Sequence, residues 1–224
     1  MRKLLLLAST LSLVLSTIAL RAQDNEVILS LRTGHNATFG GFAATSVEMF
    51  NAPGRNFMIS SGIQYSTFGK TAVEARPAYS MDYSWGRLSA EALLTYTNLS
   101  STNNFTTGAG MQVKSKWTEA RLGYYYRIYG GRGGIITEPF NLYYELLVNL
   151  IPSVDKWGLQ LRVTNCETFE LERHYQPSYM AQCRYYPRKN LGTYLSLGYK
   201  PSGTFHISAD YYQAFLKLGV SYRW

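Results

Sequence analysis

The last twelve residues, 213–224, constrain the fold of this chain more than any other stretch. They read Q-A-F-L-K-L-G-V-S-Y-R-W. Ala214, Leu216, Leu218, Val220, Tyr222 and Trp224 form one alternate set, and all are apolar or aromatic. The interleaved set, Gln213, Phe215, Lys217, Gly219, Ser221 and Arg223, is mostly small or polar and carries two cations. A period of two places the sets on opposite faces of one extended strand. A soluble sheet also alternates, but it rarely ends its chain on an apolar strand with no polar tail.

The amino terminus reads as an export signal. Arg2 and Lys3 are followed by an apolar run over residues 4–20, and Leu20-Arg21-Ala22 offers a cleavage site. A basic start, an apolar middle and a small residue before the cut describe a secretory signal peptide, residues 1–22. The mature chain is then 23–224, one domain's worth of sequence without repeats or linkers. Beyond the signal no uninterrupted apolar run is long enough for a helix to cross a bilayer. The chain is nonetheless rich in Tyr (19) and Gly (19). That composition without helical periodicity favours an all-β protein in which only alternate residues meet an apolar surround. The formal charge is +8, or about +5 once Arg2, Lys3 and Arg21 leave with the signal. For an exported protein this excess suits anionic lipid or small anionic solutes, and nucleic acid is not an expected partner.

Alternation and turn residues predict twelve strands, at 27–33, 42–50, 57–67, 78–85, 88–98, 106–114, 119–129, 140–151, 157–165, 178–186, 191–200 and 213–224. Residues 70–76, 130–139, 166–176 and 201–212 are read as loops. Connections alternate between shorter turns and longer loops. All four tryptophans, Trp85, Trp117, Trp157 and Trp224, fall at the short-turn end, with Tyr65, Tyr96, Tyr129 and Tyr199 toward the other. Rings with an apolar body and a polar edge favour the two membrane interfaces, so the sorting reads as two girdles.

A terminal aromatic behind alternating Leu218, Val220 and Tyr222 resembles the C-terminal strand of Gram-negative outer-membrane β-barrels, where this pattern is the signal read by the assembly machinery. The resemblance spans the mature chain and is one of class. It implies a transmembrane up-and-down antiparallel β-barrel of about twelve strands, or ten if the first pair forms a looser segment. It further implies a place in the cell outer membrane, with outer-membrane lipid, lipopolysaccharide and the assembly machinery as partners. A closed barrel leaves no unpaired backbone edge in hydrocarbon.

In this register the inward charges are Arg32, Glu48, Asp82, Glu91, Lys114, Glu119, Arg121, Arg127, Glu145, Arg162, Arg184, Lys217 and Arg223. They can pair across strands and hold the wall together, or line a water-filled path with a bias toward anions. Inward Ser60, Gly62, Gly108, Gly110, Ser196 and Gly198 leave space, while Tyr125, Tyr129, Tyr186 and Phe215 take some back. Three functions follow. The first is a narrow passive, porin-like channel with mild anion preference. The second is a non-conducting barrel that holds structure or binds a partner through residues 130–139 and 166–176. The third is a lipid-modifying hydrolase.

The hydrolase reading rests on His206, Ser208 and Asp210, spaced i, i+2, i+4 and hence on one face if extended. Same-face neighbours sit about 7 Å apart, too far for direct hydrogen bonds within one strand. The three histidines, His35, His174 and His206, are dispersed, so neither a metal site nor a cofactor is expected. Cys166 and Cys183 are an even pair in an oxidising compartment and could bridge if their strands continue outward to a turn near His174; otherwise they are free thiols. The acidic run 167–173 reads as a solvated external loop, and Gly130-Gly131-Arg132-Gly133-Gly134 lacks the Lys-Ser/Thr of a phosphate cradle.

Overall fold

The computed structural model describes residues 24–36, 40–99, 102–131, 134–152, 156–201 and 214–224. The fold is a closed twelve-strand antiparallel barrel with a small hairpin inside it. In chain order the strands are β1 (Asp24–Asn36), β2 (Gly40–Gly54), β3 (Phe57–Ser66), β4 (Lys70–Tyr83), β5 (Gly86–Leu99), β6 (Thr102–Lys114) and β7 (Thr118–Gly131). They continue as β8 (Gly134–Ile151), β9 (Trp157–Thr164), the two-residue β10 (Cys166–Glu167) and β11 (Glu170–Leu171), β12 (Ser178–Arg188), β13 (Leu191–Tyr199) and β14 (Ala214–Arg223). Each barrel strand pairs with its neighbours in sequence, β9 with β12 across the hairpin, and β14 returns to β1.

That last pairing is where the terminal pattern acts. Val27 lies opposite Tyr222, Leu29 opposite Val220 and Leu31 opposite Leu218, all outward; Arg32 lies opposite Lys217, inward. Asn25 and Trp224 exchange both backbone hydrogen bonds at 3.2 Å, so the pairing runs to the last residue. Leu29, Leu31, Val47, Ile63, Leu122, Leu146, Leu161, Leu197, Leu218 and Val220 are all exposed on the barrel exterior. In water this would be one continuous apolar patch; in a bilayer it is the lipid-facing belt. Trp85, Trp117, Trp157 and Trp224 stand exposed at the end of the barrel where Asn25 meets Trp224.

Several expectations need correction. Residues 70–76 are not a loop: the connection after β3 is only Thr67–Gly69, with Gly69 in the left-handed region (φ 75°) that closes so short a turn. Residues 130–139 likewise belong mostly to β7 and β8, which extend past the expected loop, with a register shift before Asn141 where Phe140 takes φ 51°. The end opposite the tryptophans therefore has mostly short connections too. Tyr65 and Tyr199 are exposed there, whereas Tyr129 points inward and is buried. The extra strand length carries Lys70, Glu74 and Arg76 into the barrel wall as buried inward groups. Sequence alternation missed them because Thr71, Ala72, Val73 and Ala75 give both faces of that stretch small or apolar residues.

A charge on the lipid-facing side should be costly. Leu218→Arg, mid-strand between Leu31 and Leu195, should lower stability by about 2–4 kcal/mol in refolding titrations in lipid vesicles. A loss below about 0.5 kcal/mol would contradict lipid exposure of that face.

Candidate functional site: the plugged lumen

Twelve strands enclose more interior than side chains from the wall alone fill. The remainder is occupied by the segment between β9 and β12, which was expected as a solvated external loop and instead folds into the barrel. Cys166, Glu167, Phe169, Glu170, Leu171 and Glu172 are all buried there. Among the described residues β10 and β11 pair only with each other, Cys166 opposite Leu171 and Glu167 opposite Glu170. Asn165 fixes the entry: its Oδ1 accepts from the Tyr144 amide at 2.7 Å, and its Nδ2 donates to the Leu142 and Glu172 carbonyls at 2.9 Å each.

The hairpin crosses the lumen to the opposite wall. The Phe169 amide donates to Glu74 at 2.9 Å, and Thr168 Oγ1 donates to Glu48 at 3.4 Å. Phe169 holds a left-handed backbone (φ 68°), which is uncommon for a bulky residue and persists when the surroundings demand it. Its ring lies over Gly62, where a Cβ would stand 2.6 Å from Phe169 Cζ. Leu171 and Cys166 pack on Leu93, Tyr125 and Tyr143. The small inward residues thus act as seats for rings. Gly62 receives Phe169, Gly110 receives Tyr143, and Gly198 receives Phe215.

Most of the hairpin's hold is ionic. Arg32 pairs with Glu167 and, at 3.3 Å, with Glu170. Lys70 meets Glu170 at 3.2 Å. Lys200 bridges Glu170 at 3.1 Å and Glu172 at 2.9 Å. Arg127 donates to the Leu171 carbonyl and pairs with Glu138 at 3.2 Å, and Glu138 also holds Arg173 at 2.5 Å. The Tyr125 hydroxyl donates to the Glu172 carbonyl at 3.1 Å. Lys70 and Lys200 are 0% and 1% exposed, so both charges depend on protein partners rather than on water.

A second network lies in the wall. Arg121 meets Glu91 at 3.0 Å and Glu145 at 3.4 Å; Arg162 meets Glu145 at 3.0 Å; the Tyr143 hydroxyl donates to Glu91 at 3.1 Å. Lys217 pairs with Glu48 at 3.1 Å. Toward the tryptophan end, Lys114 pairs with Glu119 at 3.4 Å and Arg87 with Asp82 at 2.7 Å. Arg223 pairs with Glu26 at 3.2 Å, and Arg184 donates to Gln182 at 3.2 Å. Next to the hairpin remains a cavity of about 40 Å³ bordered by Arg32, Gln160, Arg162, Glu167, Gln182 and Lys217. It has room for little more than water.

The structure separates the two cysteines. Both are free. Cys166 is buried in the hairpin, while Cys183 alternates outward between inward Gln182 and Arg184 and borders an apolar exterior groove with Leu195 and Val220. A disulfide between them is therefore ruled out by the two sides of the wall they occupy. His206, Ser208 and Asp210 lie outside the described residues. Of the cations that engage the hairpin, Arg32 and Arg127 are among the expected inward charges, whereas Lys70 and Lys200 are not, because the sequence pattern puts them at a loop and a strand end. A signal was present in the charge balance between run 167–173 and the basic strand ends.

No family model matches the sequence, nor does any curated protein. Solved structures do match. A KdgM porin in complex with disordered oligogalacturonate is similar at TM-score 0.54 and 13% identity, covering 89% of this chain and 98% of that one. The fold is that of an outer-membrane β-barrel. A NanC porin is similar at TM-score 0.55 and 12% identity, over 88% of this chain and 98% of that one. An active-site mutant of outer membrane phospholipase A from Escherichia coli reaches TM-score 0.55 at 9% identity, over 90% of each chain. One barrel architecture thus spans porins and an enzyme, and fold alone does not choose between them.

Glu145 serves two arginines from a site 2% exposed. Glu145→Leu should leave Arg121 with Glu91 alone and take from Arg162 its carboxylate, and cost about 3 kcal/mol, read as a lower urea midpoint in detergent micelles. An unchanged midpoint would mean that water already satisfies these charges.

Proposed function

We propose that this protein is a porin-like conduit of the outer membrane, closed at rest by its own residues 165–177 and mildly anion-selective when that segment is out of the way. The observation that carries the proposal is the hairpin's mode of attachment. It fills the lumen yet pairs with no barrel strand. Side-chain ion pairs and a few hydrogen bonds hold it, so it can leave without breaking the barrel's backbone ladder. The wall behind it is polar and charged, with Arg32, Lys70, Arg76, Arg121, Arg127, Arg162, Lys200 and Lys217 facing inward. Cations in a narrow, low-dielectric passage favour anions.

The likeness to KdgM and NanC porins supports a barrel that admits solutes at the level of fold. The apolar belt and the tryptophans at the terminal end support residence in the outer membrane, with lipid and lipopolysaccharide around it and the termini in the periplasm. The Leu218, Val220, Tyr222, Trp224 pattern suits recognition by the assembly machinery.

A second reading has its own support. The network of Glu91, Arg121, Glu145 and Arg162 can be purely structural, in which case the barrel is non-conducting. Planar-bilayer recordings of the refolded mature chain decide between them. The conduit reading expects rare, small openings with an anion-biased reversal potential. Replacing 167–173 by Gly and Ser should raise open probability several-fold, because the ion pairs that hold the plug are gone. A correctly inserted replacement variant that stays silent would retire the conduit.

A further inference from the structure

On its outer side the wall around the β1–β14 seam is furrowed. Outward side chains stand in two rows that follow the register across the strands. Thr193, Val220, Leu29 and Val47 lie in one, and Leu195, Leu218, Leu31 and Thr45 in the other. Between them runs an apolar groove of about 950 Å³, with inward-pointing Ser46 and Gly219 contributing to its floor. It starts at Trp157 and Tyr185, whose rings meet at 4.5 Å, and reaches Ile63 and Tyr65 on β3. From β9 to β3 it crosses six strand spacings, roughly 29 Å. Barrel strands tilt about 40° from the membrane normal, so a groove across them climbs roughly 18 Å from the tryptophan end. The hydrocarbon of one leaflet is only about 15 Å deep.

Cations gather at the lower mouth. Lys156 precedes Trp157, and its carbonyl accepts from the Tyr186 amide at 2.8 Å, which sets it beside the end of β12. Arg188 and Lys189 sit where β12 turns into β13. All three are exposed, and among the described residues none forms an ion pair. With Asp155, the connections 152–156 and 187–190 hold three cations and one acid. Trp157 and Tyr185 mark the depth of the interface, so the three cations lie at headgroup level.

We propose that this groove and Lys156, Arg188 and Lys189 together form a site for an anionic phospholipid of the leaflet at the tryptophan end. One acyl chain lies along the groove from Trp157 toward Tyr65, and the phosphate rests on the cations. The inference needs the chain to reside in a bilayer but does not depend on whether the lumen opens. Charge complementarity selects the occupant. Hydrocarbon fills the groove equally well from any lipid of the same chain length, so the headgroup decides. A phosphate with no ammonium of its own is attracted by each exposed cation, whereas a zwitterionic headgroup brings a competing cation to the same place. A second copy related by a two-fold axis would set this patch, and its cations, against themselves.

The test is tryptophan quenching in reconstituted bilayers. The mature chain carries Trp85→Phe, Trp117→Phe and Trp224→Phe, which leaves Trp157 as reporter. Phosphatidylglycerol or phosphatidylcholine with brominated acyl chains is added as a minor part of a phosphatidylcholine bilayer. Phosphatidylglycerol should bind about tenfold more tightly than phosphatidylcholine. Lys156→Gln, Arg188→Gln and Lys189→Gln together should abolish that preference, and molar salt should shrink it. A chain that keeps Trp85 instead, where Arg87 is paired with Asp82 at 2.7 Å, should show little preference. In the unmodified mature chain, native mass spectrometry after detergent exchange should find a single phosphatidylglycerol retained, and none in the neutralised variant. This readout stands even if the tryptophan variants fail to insert. Equal binding of the two lipids, a preference that survives neutralisation, or the same preference at Trp85 would overturn the site. So would loss of the preference in millimolar inorganic phosphate, which would mark a free-phosphate site, or a dimer mass with no lipid retained.

Discussion

The whole structure depends on backbone closure. In hydrocarbon an unpaired N–H or C=O costs several kcal/mol, so the first and last strands must find each other. β1 and β14 do so from Glu26 and Arg223 at one end to Gly34 and Phe215 at the other, and Asn25 with Trp224 extends the ladder to the carboxy terminus. Closure fixes the register, and register fixes which residues see lipid. It also decides the interior, because twelve strands leave a lumen that must hold water, side chains or chain.

This protein fills its lumen with chain. The hairpin places apolar atoms of Leu171 and Phe169 against Leu93, Tyr143 and Gly62, and carboxylates against Arg32, Lys70 and Lys200. The two kinds of contact are complementary. Apolar burial is non-directional and tolerates displacement, whereas a buried cation that loses its carboxylate is strongly penalised until another anion arrives. The wall network of Glu91, Arg121, Glu145 and Arg162 is of another type. Its members sit on paired barrel strands and link β5, β7, β8 and β9, so it stiffens the wall whether or not the hairpin is in place.

Much of the fold is legible in the sequence because lipid and lumen impose a strict period of two. All twelve barrel strands, the inward placement of Arg121, Arg127, Glu145 and Lys217, and the tryptophan end can be read from alternation alone. The reading fails where local pattern is ambiguous. Residues 70–76 alternate weakly, and Gly130, Gly131 and Gly134 look like loop material although sheet pairing carries them within strands. Inward Gly62, Gly110 and Gly198 suggest open space. The rings that occupy it come from Phe169, Tyr143 and Phe215, and for Phe169 from a point more than a hundred residues away.

The sequence by itself determined the barrel, its approximate strand count and, where alternation is clear, the face a residue presents, because those follow from a repeat that most strands show locally. The tertiary structure alone decided that residues 166–172 turn inward. An acidic run such as E-T-F-E-L-E-R reads as solvated loop until the cations Lys70, Lys200 and Arg32 are brought around it, and they come from strands distant in the chain. Charge pairing across a lumen has no period, so only the folded barrel reveals it.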